Sequence, residues 1–525
     1  MTNGITRFLP GLPLTCALVL WVWLSVLLPL NDYDYFWHLE LGRWIVEHGW
    51  SLPMQDPFSF TASQESGNYR VQGWLFDVIQ HQVWRVGGDS GMRMFMAAII
   101  ALTWSVVYRA VRLNISHEFL ALVITGFGVI VAWRFFTPRP TAVTFLFFAT
   151  VAMLLLRYRH TGHARQLLAL PVLFALWINL HPGFLAGLAL VLLFSSCAAL
   201  DRWMPVAGSR SAPGRLSAIQ HGLLIVGCVA ALALNPYGIN LLPETLGKAA
   251  TDAASVVNEW QSPNFKLAFA QLFLALLLSW IAAVFFANRR SSWIDLLLPL
   301  TLSAMALQSL RHIPLATIAL VMGLAQAVAS RDAPWVLWRG PGLRRRTMLQ
   351  TEPERAQSDS GHRWVNAALI VICAGLAFSL APAIERRQQV FQEHKLPVQA
   401  VEFIKHKQLD GPMFNDYHLG GYLIRELGPR VPVFIDGRYN PFVGPVLEDY
   451  LTIRQLKQGW RDRLSHYGIR LVVIEDAQDG LGAQLVDDGH FRPVYSDSRF
   501  AVLLHRDAGR PDLPAVDLKL KGVSR

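Results

Sequence analysis

Charge is scarce in this chain. Only 16% of its 525 residues are Asp, Glu, Lys or Arg, against about 25% in ordinary soluble domains. That shortage excludes a wholly soluble globular body. Cysteine is scarcer still: the four are Cys16, Cys197, Cys228 and Cys373, all inside apolar runs. They read as packing residues, which argues against a disulfide framework and against a thiolate metal site. HExxH, Walker A, GxSxG and GxGxxG motifs are all missing, so the chemistry each of them supports has no foothold here. Internal repeats are missing as well.

What the chain has in abundance is apolar length. Hydrophobic residues make up 53%, and runs of about 17–22 residues recur, enough to cross some 30 Å of hydrocarbon. Spans are predicted near 11–30, 92–111, 118–136, 140–156, 167–181, 183–200, 220–235, 267–288, 293–310, 313–330 and 364–383. The fold class is therefore a polytopic α-helical membrane protein of about eleven transmembrane helices. Pro314 makes the 293–330 hairpin the least secure pair. Residues 11–30 are too long for a signal-peptide core and read as a retained span.

The net charge of +10 does not point to nucleic acid, because the basic residues gather in short loops between spans. With the N-terminus in the cytoplasm the inner loops hold eighteen arginines, including Arg7, Arg109, Arg112, Arg210, Arg215, Arg289 and Arg290. The outer loops up to residue 320 hold about nine Lys and Arg, as the positive-inside rule requires. Residues 1–384 form the membrane domain. It has a first outer loop at 31–90, a second at 236–266 and an Arg-, Pro- and Ser-rich inner loop at 331–363. Trp37, Trp44, Trp50, Trp74 and Trp84, spaced among polar residues, predict short interfacial helices in the first outer loop.

From 395 to 525 the composition is that of a soluble domain. Val398–His406 reads as a helix, 411–415 as a short strand, 422–427 as a helix after a Gly420-Gly421 turn, and 431–435 as a strand. Leu471–Glu475 is a further strand, and Phe491–Ser496 with 499–504 a closing hairpin. Alternating strands and helices predict a small α/β domain. Asn415-Asp416 and Asp436-Gly437-Arg438 follow predicted strands, where ligands of open α/β sheets bind, so acceptor recognition is one reading and structural turns the other.

The chemistry-bearing residues begin directly after the first span, in Asn31-Asp32-Tyr33-Asp34-Tyr35-Phe36-Trp37-His38. A carboxylate costs roughly 2.5–3.5 kcal/mol at the centre of a membrane helix, so Asp32 and Asp34 belong at the membrane surface. In an extended segment they would point to one side, one serving as base while the other tunes it or holds a cation. Asp56 could orient the loop or make an Asx turn before Pro57.

A second set stands at the outer ends of other spans: Arg134, Arg139, His181 in Asn179-Leu180-His181-Pro182-Gly183, and Arg311-His312. Arginine gives planar, multi-donor contacts to phosphate. Glu259, next to Trp260, could contact the acceptor or the donor sugar.

The string from Asp34 through Trp37, Gly42 and Gly49, placed after a first span, resembles the acidic first-loop motif of the C-type glycosyltransferases. These include protein O-mannosyltransferases, the aminoarabinose transferase of lipid A and oligosaccharyltransferase catalytic subunits. Tyr35 stands where a Glu often follows the acid. The resemblance implies eleven to thirteen spans, often with a soluble outer C-terminal domain, and an activity at the outer face of a bacterial inner membrane.

In that activity a polyprenyl-phosphate-linked sugar is transferred with inversion to a glycan, lipid or protein hydroxyl. Asp34 would be the base, assisted by Asp32. Trp37, His38, Asp56, Arg134, Arg139, His181, Glu259, Arg311 and His312 would bind substrates. No cofactor is required, although Asp32 and Asp34 could hold Mg²⁺ or Mn²⁺. The expectation is that Asp34 shares one outward chamber with the arginines. The alternatives are a glycolipid transporter or flippase, and an envelope-glycan polymerase or ligase that needs no Asp base. A transporter should carry polar residues through the depth of its spans, whereas here they gather at one face.

Overall fold

A computed structural model describes residues 10–30, 32–62, 69–205, 216–249, 258–287, 291–329, 352–438, 440–475 and 480–518. Residues 250–257 of the second loop and 331–351 of the basic inner loop lie outside them, as do Arg7, Arg210, Arg215, Arg289 and Arg290.

Among the described residues, seven helices are long and apolar enough to cross a membrane: Trp74–Arg112, Glu118–Phe135, Thr141–Thr161, Phe184–Trp203, Ala268–Phe285, Leu310–Ala329 and His362–Lys395. Four more are apolar but shorter: Leu12–Leu27, Ala164–Leu180, Ala218–Ala231 and Trp293–Gln308. The chain is a multi-pass membrane protein. Seven of the predicted spans fall on helices of crossing length, and the other four fall on the shorter ones. The helix expected at 92–111 is longer, starting at Trp74, and its backbone leaves helical geometry at Gly88.

The chain divides into two compact units. The first is Met1–Leu28 with Arg93–Ala381, and the second is Pro29–Met92 with Pro382–Arg525. At the centre of the first runs Ile313–Ala329, buried along almost its whole length. It packs against Ala268–Phe285, Trp293–Gln308, Glu118–Ala132 and Thr141–Thr161. Its residues are small or apolar on every face, the pattern of a helix with no solvent side. Pro314 does not disrupt it. The proline occupies the first turn, where its missing N–H would have had no partner. Arg159 joins two helices by donating to Asp295 at 2.5 and 3.0 Å and to Ser292 at 2.7 Å. At the other extreme, Trp364, Val371 and Phe378 on the helix Glu352–Lys395 are mostly exposed, apolar surface suited to lipid.

The second unit is built from both ends of its sequence. We label its elements α1 (Tyr33–Glu47), α2 (Val398–His406), α3 (Gly420–Leu427), β1 (Met413–Asn415), β2 (Leu471–Glu475), β3 (Phe491–Ser496) and β4 (Phe500–His505). The sheet order is β1-β2-β4-β3, with β1 and β2 parallel and the other pairs antiparallel.

The predicted strand at 431–435 is not a ladder strand. Val433 makes single parallel bridges to Met413 on one side and to Ser59 on the other. Phe60 N–H donates to the Val433 carbonyl, and Val433 N–H to the Phe58 carbonyl, both at 3.3 Å. The first loop therefore supplies edge backbone to the C-terminal sheet, and Ala62 joins its core beside Phe414, Phe434 and Ile435. Sequence periodicity alone could not show this, because the partners are more than 370 residues apart. Of the helices expected at 31–90, α1 is realised, and a second begins at Trp74.

Candidate active site

Asp32 and Asp34 are not on one side of an extended segment. Asp32 is the N-cap of α1, and its carboxylate accepts the Asp34 N–H at 3.0 Å. Asp34 lies in the first helical turn, where negative charge complements the helix dipole. One acid is thus occupied by an orphan backbone donor, while the other projects a half-buried carboxylate. Trp37 Nε1–H donates to Asp34 Oδ1 at 3.1 Å, the i, i+3 contact that a helix provides. Among the described residues no group of three or more His, Cys, Asp or Glu gathers as a metal site.

The ground beneath Asp34 is fixed by neighbours within the same unit. His38 is buried and its Nδ1 lies 2.6 Å from Asp77 Oδ1, while the Trp37 ring stacks on its imidazole. Gln80 donates to the Tyr35 carbonyl at 3.2 Å. Gly42 lies so close to the Asp77 carbonyl that a Cβ could not fit, which lets α1 approach the helix from Trp74. On its other side α1 packs on α3, with Gly421 against the Tyr33 carbonyl and Arg425 bonded to Glu40 at 3.1 Å. Gly420 and Gly421 therefore open a helix and permit close packing, rather than forming a ligand loop.

Asp56 is 5% exposed. Its carboxylate accepts the Ser59 N–H at 3.0 Å and both Nη groups of Arg438. Arg438 in turn reaches Asp436, so two carboxylates grip one guanidinium at 2.5–2.9 Å. Tyr69 OH accepts a further bond from Arg438 at 3.0 Å. Burial opposes the charge on Arg438, but Asp436 and Asp56 more than offset it and raise its pKa well above the ordinary arginine value. Burial also raises Asp436, against the pull of Arg438. The Asx turn read at Asp56 and an orienting role are both present. The carboxylate is buried among these partners.

Asn415 and Asp416 likewise turn inward. Asn415 bonds the 434 N–H and the 435 carbonyl at 2.9 and 2.8 Å. Asp416 takes Arg454 at 2.5 Å and the Glu475 N–H at 2.7 Å.

In the first unit the second set sorts into a cluster and three further residues. Arg139 pairs with Glu259 at 2.8 Å, so a protein cation already faces the Glu259 carboxylate, whose side chain is half exposed. Arg311 stacks on Trp260 with its guanidinium 4.4 Å from the ring centroid. The adjoining backbone ties Ser309 Oγ to the Glu259 carbonyl and Leu310 N–H to Gln261 O, both at 3.0 Å. Arg139, Glu259 and Arg311 are thus gathered at one turn, Asn258–Trp260. Arg134 is exposed at the end of Trp133–Phe135. His181 is engaged with Thr144 Oγ1 at 2.7 Å and caps the Gly183 N–H at 3.0 Å, a structural use. His312 is half-buried in Leu310–His312. Asp34 belongs to the second unit, and Arg134, Arg139 and Arg311 to the first.

Asp77 and the Arg438 lock escaped the sequence reading. A signal for Asp77 existed: it is the one acid in the otherwise apolar and amide-bearing start of the Trp74 helix. For Arg438 the strand-end position offered acceptor recognition or a structural turn, and neither pointed to a buried ion pair with Asp56.

No family model matches the chain, and no curated protein is similar to it in sequence. Solved structures do match. ArnT from Cupriavidus metallidurans in the apo state superposes with a TM-score of 0.51 at 14% identity, covering 94% of this chain and 97% of that one. The archaeal oligosaccharyltransferase AglB from Archaeoglobus fulgidus, in complex with an inhibitory peptide and a dolichol-phosphate, gives 0.50 at 12% identity, covering 88% and 69%. The likeness is one of fold, and at that level it bears out the resemblance to C-type glycosyltransferases.

Proposed function

We propose that this chain is an inverting glycosyltransferase that moves a sugar from a polyprenyl phosphate to an acceptor hydroxyl at the outer face of a bacterial inner membrane. The observation that carries the reading is Asp34. It is a half-buried carboxylate at the start of a helix that follows a membrane helix, oriented by Trp37 Nε1. The neighbouring Asp32 caps the helix through Oδ1, and Asp34, one residue into the first turn, is the acid assigned the role of base. The fold shared with ArnT, and with an AglB structure that holds a dolichol-phosphate, supports a lipid-linked donor.

In this reading Asp34 takes the proton of the acceptor O–H. The oxygen attacks the anomeric carbon, the carbon–oxygen bond to phosphate breaks with inversion, and polyprenyl phosphate departs with the electron pair. The lipid phosphate is already a fair leaving group, so the protein supplies position, a base and positive charge. Arg311, held flat on Trp260, and the exposed Arg134 are the cations proposed for the phosphate, with Arg139 moderated by Glu259.

The four shorter apolar helices complete eleven crossings, with the N-terminus cytoplasmic and the C-terminal α/β part, from 395 on, outside. The acceptor is a glycan, lipid or protein hydroxyl. No cofactor is needed for these steps, and Mg²⁺ or Mn²⁺ on Asp32 and Asp34 is the alternative.

The test uses the full chain in detergent with undecaprenyl-phosphate-linked mannose, glucose and aminoarabinose as donors. Turnover is read as released undecaprenyl phosphate. Asp34→Asn should lower turnover by about 10²–10⁴-fold, the usual worth of a general base, at an unchanged melting temperature, and turnover should survive chelation by EDTA. Wild-type transfer by the Asn variant would remove the base, and a demand for added Mg²⁺ or Mn²⁺ would move the acids to a metal role.

A further inference from the structure

The carboxylate proposed as the base rests on backbone contributed by the far end of the chain. A Cβ built on Gly437 would collide with Asp34 Oδ1 and would come within 3.6 Å of Trp37 Nε1. The hydrogen-bonded Asp34–Trp37 pair therefore lies flat on the Gly437 α-carbon. The turn that carries Gly437 is held on both sides. Asp436 and Arg438 are buried and closed into one cluster with Asp56 and Tyr69, and Tyr417 OH donates to the Gly437 carbonyl at 3.2 Å. With the turn held by this buried cluster, a side chain placed at 437 is met by displacement of the Asp34 carboxylate.

We propose that Gly437 is a positioning residue for Asp34. The Asp56–Arg438–Asp436 lock presses a side-chain-free platform against the carboxylate and fixes which way its oxygens face. This deepens the transferase reading and rests on it for the meaning of Asp34. The physical contact between the two residues stands independently. It also gives the C-terminal segment a part in the reaction: it completes the seat of the acid rather than only recognising an acceptor. Glycine is the one residue that serves, because the limit is the space of a single methyl group.

Two measurements on the full chain test the proposal. The first is a double-mutant cycle in melting temperature. Gly437→Ala should destabilise the wild-type chain by several degrees and have little effect in an Asp34→Ala background, where the clash is gone. The second is turnover with the three undecaprenyl-phosphate-linked sugars as donors. Gly437→Ala should lose at least tenfold in kcat with KM for the donor held within about twofold. The acid limb of its pH–rate profile should be displaced, which a general loss of fold would not produce. Equal destabilisation in both backgrounds, or full turnover by Gly437→Ala with an unmoved pH profile, would overturn the positioning role. Retained turnover by Asp34→Asn would instead sink Asp34 as the base while leaving the stability coupling to be read on its own.

Discussion

The carboxylate of Asp32 closes the start of α1 by accepting the Asp34 amide, and that one bond separates the roles of two acids that look equivalent in the sequence. A cap of this type contributes about 0.5–2 kcal/mol. Asp32→Ala should therefore lower unfolding stability by that amount, while Asp32→Asn, an equally good cap, should keep it. Equal losses in urea or thermal unfolding would mean that the charge, and not the cap, is what Asp32 supplies. The surrounding residues show the same economy of assignment. His38 is committed to Asp77, His181 to Thr144, Glu259 to Arg139 and Asp56 to Arg438. Of the polar residues that the motif pattern singled out, many are held by other protein groups.

At the scale of elements, the carboxyl ends of β1 and β2 are held by charge. Glu475 accepts His418 Nε2 at 3.1 Å and Arg499 Nε at 2.8 Å, tying the end of β2 to the turn before α3 and to the residue that opens β4. The His418 hydrogen bond, then that of Arg499, holds the Glu475 carboxyl below its ordinary value, against the opposing effect of burial. A carboxylate whose native value is depressed contributes stability above its unfolded pKa of about 4.3 and loses it as pH falls through the lower native value. The melting-temperature difference between wild type and Glu475→Gln should thus be complete above about pH 5 and shrink below about pH 4. Burial raises Asp416 and Asp436, which runs the other way. Their penalty is present at neutral pH and relieved in acid, and comparison with the Gln variant cancels it. A difference that stays constant down to pH 3 would show that the Glu475 contacts are not ionic.

For the whole molecule, the governing fact is two solvents. The helix Ile313–Ala329 is buried among its neighbours, while Glu352–Lys395 displays Trp364, Val371 and Phe378 outward; both are apolar, and only their surroundings differ. The proposed orientation puts residues 31–90 outside. Ser51 is exposed just beyond α1, so Ser51→Cys should react with a membrane-impermeant maleimide added to intact cells. Cys197 and Cys228 are buried, whereas Cys16 is exposed and Cys373 partly so, so the labelling is done in a chain with Cys16 and Cys373 changed to Ala. Labelling only after permeabilisation would put this segment in the cytoplasm and end the outer-face reading.

Membrane class, the main apolar helices and several C-terminal elements were legible in the sequence because each follows from local pattern. Apolar run length reports a membrane crossing, periodicity reports a helix or strand, and an acid just after a span reports the interface. Val398–His406 and Leu471–Glu475 were readable for the same reason, since each is a short, self-consistent run. Tertiary structure alone decided the rest. It made 431–435 a bridge between Ser59 and Met413, closed Asp436 and Arg438 into a buried lock with Asp56, and paired Glu259 with Arg139. Each depends on partners hundreds of residues away, or in another helix, whose approach is set by packing and desolvation. A charge in a sequence does not say whether it will meet water or a counter-charge. Only the folded chain, by removing the water, makes that choice.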